Sequence, residues 1–109
     1  DLKIEGIDLL QNSEYDASLE KFEKSLKYND KDPETYYYIG NVWFGKKDLD
    51  KAFDYYNQAI DIDSTYGPAY VNRGEIYSIR NDKDNACKDW LKAESLGISN
   101  LGEDTKFCK

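Results

Sequence analysis

Histidine and methionine are absent from the 109 residues, and cysteine and proline occur only twice each. Without an imidazole there is no Ser-His-Asp or Cys-His catalysis and no histidine-bound metal. Two cysteines without a CxxC spacing make a poor zinc or redox site. No apolar run approaches the roughly 18–20 residues of a membrane helix, and no secretory h-region is present, so membrane insertion is not expected. Positive charge is short as well: 15 Lys and Arg face 22 Asp and Glu, a net charge of −7. That balance argues against nucleic acid or an anionic bilayer as partner, since either requires a basic patch. A chain that begins at Asp1 without an initiator Met is expected to be processed or trimmed, so its targeting cannot be read from this end.

What the chain has is a period. Gly6, Gly40 and Gly74 are spaced by 34 residues, as are Ser18, Ala52 and Ala86, then Phe22, Tyr56 and Trp90, then Ser25, Ala59 and Ala93. The triplets Leu9/Trp43/Tyr77, Leu2/Tyr36/Tyr70 and Tyr28/Ile62/Leu96 keep the same step, with no insertion. Such self-similarity is the signature of stacked supersecondary units.

Each unit reads as two helices. Tyr36, Ile39 and Trp43 form one stripe of a 3.6-residue period, and Leu49, Ala52, Phe53, Tyr56, Ala59 and Ile60 form the next. Asp48 offers an N-cap oxygen, Ser13-Glu14-Tyr15-Asp16 is the equivalent cap in the first unit, and Pro33 and Pro68 suit a first helical turn. Lys46 and Lys47 complement the preceding helix's carboxyl end. The expected helices lie near 1–12, 15–29, 34–46, 49–63, 68–80 and 83–96, with a short one near 100–108, an all-α class. Gly40 lets the second helix of its unit approach closely. A lone helix pair cannot bury both faces, but stacked neighbours can.

These residues resemble the tetratricopeptide repeat, whose 34-residue pattern W-x2-L-G-x2-Y…A-x3-F…P is known. The middle unit reads Tyr36, Ile39-Gly40, Trp43, Ala52, Tyr56, Ala59, with Ser64 where the family often has Pro. The third reads Tyr70, Arg73-Gly74, Tyr77, Ala86, Trp90, Ala93. The first departs most: Glu5 precedes Gly6, and Ser18 and Ser25 replace both alanines. The resemblance implies three helix-turn-helix repeats (about 1–32, 33–66 and 67–97) in a right-handed superhelix, closed by a cap over about 98–109, all in one domain.

It also implies a concave groove lined by Lys3, Ile4, Ile7, Leu10 and Gln11, then Glu34, Tyr37, Tyr38, Asn41 and Phe44, then Pro68, Val71, Asn72, Glu75, Ser78 and Ile79. Ile7, Leu10, Tyr37, Tyr38, Phe44, Val71 and Ile79 together would form an apolar patch of the kind that marks interaction sites, unless curvature makes them pack on one another. Asn41 and Asn72 would hold peptide amides. The family's two-carboxylate clamp for acidic chaperone C-termini needs cations that this chain lacks: its places hold Lys3, Ile7, Tyr38, Pro68 and Asn72, and only Lys3 fits. Residues 1–32 sum to −4, residues 33–66 to −3 and residues 67–109 to zero, which favours a neutral or basic partner segment. The expected function is a non-catalytic protein or peptide-binding module, with a scaffold or self-association domain as the alternative; no cofactor and no metal are expected. Asp61-Ile62-Asp63-Ser64-Thr65-Tyr66-Gly67 only faintly resembles a calcium loop, for its Gly comes one place late and Asn72 stands where a Glu is required.

At the far end the third unit has no follower and turns polar at Lys83 and Glu94, while Cys87 and Trp90 stay apolar and need cover. Ser99 or Asn100 would cap the final helix, whose Ile98, Leu101 and Cys108 would pack on Cys87. Cys87 and Cys108, 21 residues apart, thus meet at one interface, either as a disulfide or as two buried thiols. A bridge would favour an extracytoplasmic setting and free thiols the cytoplasm.

Overall fold

The computed structural model describes residues 1–106 and 108. Six helices follow one another as three antiparallel pairs: α1 (Leu2–Gln11) with α2 (Tyr15–Tyr28), α3 (Pro33–Gly45) with α4 (Leu49–Ile62), and α5 (Gly67–Ile79) with α6 (Lys83–Ser95). A single turn, α7 (Gly102–Thr105), packs on α6. The result is an all-α helical repeat stack of 41 × 25 × 21 Å.

Within each pair the approach is set by a ring lying on a glycine. A Cβ built on Gly6, Gly40 or Gly74 would come within 2.6 Å of Phe22, Tyr56 or Trp90 respectively. Phe22 and Tyr56 are wholly buried, and Trp90 nearly so, with its indole N–H donating to the Val71 carbonyl of α5. Trp90 therefore faces inward, and the cover expected for it at the chain's end comes from its own pair. In the first pair the Ser18 hydroxyl donates to the Gly6 carbonyl at 2.7 Å, so serine in the alanine place is hydrogen-bonded where it is buried.

Every turn inside a pair is a Schellman close. Ser13, Lys47 and Asn81, again 34 residues apart, have φ of 60°, 66° and 62°. Their N–H groups donate to the carbonyls of Leu10, Phe44 and Ser78, while those of Glu14, Asp48 and Asp82 reach back to Leu9, Trp43 and Tyr77. Gly97 ends α6 in the same way. Asp48 and Asp82 then cap the following helix through Lys51 and Asn85 N–H. The first pair differs from expectation: Ser13 is spent on the left-handed position, and Glu14, the residue at the cap, makes no side-chain capping bond. The cap expected of Ser99 or Asn100 is absent too, for α7 starts after Leu101 without a side-chain cap.

Between pairs, apolar side chains of the second helix are covered by the next unit. Leu19 and Leu26 pack with Ile39 and Val42, and Phe53 and Ile60 with Ala69 and Ile76. The Tyr36 and Tyr70 hydroxyls donate to the Asp30 and Ser64 carbonyls, tying down both inter-pair turns. Arg73, in the place of the family's leucine, forms a bidentate pair with Asp89 (2.8 and 2.7 Å) and also donates to Asn57. One guanidinium thereby joins α4, α5 and α6 while neutralising a carboxylate only 5% exposed.

The tail covers the last pair. Leu101 is buried with Tyr70 and Ala93, Ile98 packs beside them, and the Thr105 hydroxyl donates to the Leu101 carbonyl. The Cys87 and Cys108 sulfurs lie at bonding distance, 2.11 Å, with Cα atoms 5.4 Å apart. The cap expected over about 98–109 falls partly on residues 107 and 109, outside those described.

Two outcomes follow. Gly40→Ala forces the Tyr56 ring aside and costs about 1–3 kcal/mol, more than the ~1 kcal/mol a helical Gly→Ala change ordinarily gains; a urea midpoint at or above wild type would refute this. Thiol titration of oxidised, unfolded protein should find no free thiol, and reduction should lower stability by about 3 kcal/mol for a loop of this size; two free thiols would refute the bridge.

Candidate functional site

Helices α1, α3 and α5 present their free stripes to one side, and a cleft of about 360 Å³ opens between them. Leu10, Tyr15, Phe44 and Val71 form its apolar walls, and Asn41, Tyr56, Asn72 and Glu75 supply the polar groups. Gly45, the last residue of α3, completes the wall because a Cβ there would strike the Tyr15 hydroxyl at 2.6 Å.

The polar floor is a hydrogen-bonded cluster. Asn41 Oδ1 accepts from the Tyr56 hydroxyl at 2.5 Å and from Asn72 Nδ2 at 2.7 Å. Asn72 Nδ2 also lies 3.4 Å from the Tyr37 and Tyr56 hydroxyl oxygens. Burial pushes the Tyr56 phenol well above its ordinary value, with Asn72 opposing and Tyr37 adding to the shift, so the hydroxyl keeps its proton and stays a donor. With both lone pairs of Asn41 Oδ1 taken, its amide N–H groups and the Asn72 carbonyl oxygen have no partner among the described residues. One asparagine thus offers donors and the other an acceptor, the pair that an extended backbone needs.

Toward the amino end of α3 the groove becomes aromatic. Tyr37 meets Tyr38, Tyr66 and Tyr56 with ring centroids 5.1, 5.5 and 5.9 Å apart, and Tyr38 stacks on Phe22 at 6.1 Å. Burial raises the Tyr66 and Tyr38 phenols, and the Glu34 carboxylate raises them further. Lys3 sits beside this cluster, bound to Asp32 at 3.0 Å and to Glu34 at 2.8 Å.

Of the residues expected in the groove, Leu10, Asn41, Phe44, Val71, Asn72 and Glu75 gather in the cleft. Lys3, Glu34, Tyr37 and Tyr38 form the neighbouring aromatic end, and Ile7 packs with Phe22, Ile39 and Val42. Of the seven apolar patch residues only Ile79 is largely open, at 51%. The others are half-buried, packed against the core residues beneath them, with Tyr37 also against Tyr38, so the continuous apolar patch shrinks to a cleft. Tyr15, Gly45, Tyr56 and Tyr66 were not expected there. Tyr56 reads as a packing ring in the sequence pattern, which hides that its hydroxyl reaches Asn41 at the cleft.

Among the described residues no group of three or more His, Cys, Asp or Glu is placed to hold a metal, and no helix is long and apolar enough to cross a membrane. The Asp63 carboxylate of the calcium-like segment instead accepts from Thr65.

Residues 5–67 match the sequence profile of the tetratricopeptide repeat, and the chain belongs to that family. It is similar to the heat shock protein sti1 homolog of Schizosaccharomyces pombe, 40% identical over 57 residues, which make up 52% of this chain and 10% of that protein. It is also similar to the photosystem I assembly protein Ycf3 of Rippkaea orientalis, 26% identical over 122 residues that cover 96% of this chain and 70% of that one. In fold it is similar to the first TPR of Spaghetti (RPAP3) bound to the HSP90 peptide SRMEEVD, with a TM-score of 0.87 at 20% identity over 97% of this chain and 86% of that one. The chain therefore spans a tenth of the sti1 homolog's length, and the likeness to the RPAP3 domain establishes the fold alone.

The Lys3 cluster gives a pH signature. Burial alone would raise the Asp32 carboxyl, but hydrogen bonds from Lys3 and Thr35 outweigh it and hold the group below its ordinary 3.8. Its stabilising effect is complete above the unfolded value and is lost as pH falls through the lower folded one. For Lys3, raised by its bonds to Glu34 and Asp32, the effect is complete below the unfolded pKa and is lost as pH climbs through the folded one. Asp32→Asn keeps the α3 cap, so it should lower stability at neutral pH, with a gap to wild type that closes as pH falls below the ordinary carboxylate range. A gap that stays constant in urea titrations across that range would contradict the assignment.

Proposed function

We propose that the domain is a non-catalytic binding module that holds an extended segment of another protein in the concave cleft. The observation that carries this is the Asn41–Asn72 pair, which leaves a donor and an acceptor side by side between the apolar walls of Leu10, Phe44 and Val71. The aromatic end at Tyr37 and Tyr38 extends the contact surface, and Tyr suits such a role by joining area to a polar tip. Because the helices already hold these groups in place, binding orders mainly the ligand.

The segment is not an acidic chaperone C-terminus. Lys3, the one clamp cation, is taken by Asp32 and Glu34, and Asn72 occupies a place where that clamp needs a base. The bonded Cys87–Cys108 pair supports an extracytoplasmic setting, where disulfides persist.

Leu10→Ala with Phe44→Ala should weaken capture of a partner from the native source by at least about tenfold, as loss of two apolar anchors does, while circular dichroism shows unchanged helicity. Equal capture by wild type and variant would sink the groove reading.

A further inference from the structure

Resting on that groove reading, we infer that the segment it takes is basic, placing an apolar side chain between Leu10, Phe44 and Val71 and an Arg or Lys against Glu75. Among the described residues, Glu75 is the only charged one lining the cleft. It is exposed, and no cation lies within ion-pair distance of it among the described residues. It stands one turn along α5 from Asn72 and Val71, so its carboxylate continues the stripe that carries the acceptor amide and the apolar wall.

The spacing fits an extended ligand. Residues two apart on an extended strand lie about 7 Å from each other on one face, close to the separation of side chains one helical turn apart. A ligand whose apolar side chain enters the cleft, with its backbone on Asn41 and Asn72, thus brings its second-next side chain to Glu75. Among the described residues, no cation on this face balances the carboxylate in advance. Lys3, at the other end, is bound to two carboxylates, leaving that cluster with a net negative charge of its own. Lys46 and Arg80, at the ends of α3 and α5, are paired with Asp16 and Asp50. An acidic segment therefore meets Glu75 with no compensating cation, whereas a basic one gains a partner at each end of the groove. Charges at such a rim set specificity and encounter rate more than total affinity.

The test is an array of dodecapeptides with a central Leu, randomised flanks, and Arg, Gln or Glu fixed two places before or after it, probed with labelled protein at low salt. Wild type should retain Arg peptides over Glu peptides by about tenfold, with Gln between them, and the preference should shrink on adding salt. Glu75→Lys, at an exposed helical position, should reverse the order, and Glu75→Gln should flatten it. Equal retention of Arg and Glu peptides, or a preference unchanged in Glu75→Lys, overturns the basic-segment inference. If retention is then still lost in the Leu10→Ala, Phe44→Ala variant, groove binding itself survives. Retention of no peptide class overturns both.

Discussion

A flat ring pressed on a bare backbone is the contact on which the stack depends. Where Phe22, Tyr56 and Trp90 lie over Gly6, Gly40 and Gly74, each pair of helices comes closer than any side chain would allow. That distance decides which residues reach the interior and which are left on the concave side. It explains why the glycines recur at one step while the rings vary between Phe, Tyr and Trp: the contact needs a flat group of some kind and, opposite it, no Cβ. Overpacking such a contact is costly because the backbone on one side has nowhere to go.

The cleft is a by-product of the same contact in the middle pair. Tyr56 is the one packing ring with a hydroxyl, and the close approach at Gly40 carries that hydroxyl to Asn41, the next residue of α3. Asn41 in turn orients Asn72 on the next pair, so the polar floor spans two repeats and is fixed by core packing. A phenylalanine at this place, as Phe22 is in the first pair, would fill the same volume and remove the hydroxyl that Asn41 accepts from. Rigid placement of a few polar groups among apolar walls is what lets a small cleft select a backbone.

The period, the all-α class and the helix ends were legible because each repeats: a glycine, a small residue and a ring at one step can be checked against themselves twice over. The left-handed turns share that step, yet Ser13, Lys47 and Asn81 carry no glycine to announce them. The cleft was half legible. Stripe positions brought Leu10, Phe44, Val71 and Glu75 together correctly, since α1, α3 and α5 are parallel and in phase. What stayed hidden depends on lateral distances between helices: the Asn41–Asn72 bond, the capture of Lys3 by residues across the first inter-pair boundary, and the contact of Tyr37 with Tyr38. None of these leaves a periodic trace, because each occurs once.

The two ends of the stack are held by different means. The carboxyl end is covered by Leu101 and Ile98, joined by the Cys87–Cys108 bond, and braced by Arg73 across three helices. The amino end has an uncapped α2, with Tyr28 85% and Ile4 57% exposed. In a stack where each unit leans only on its neighbours, opening starts where the last neighbour gives least. Leu10 and Tyr15 belong to the first pair, so were α1 and α2 to part from α3, the cleft would lose one wall while the carboxyl half stayed folded. A ligand seated there would act as a clasp across the seam between the first two pairs.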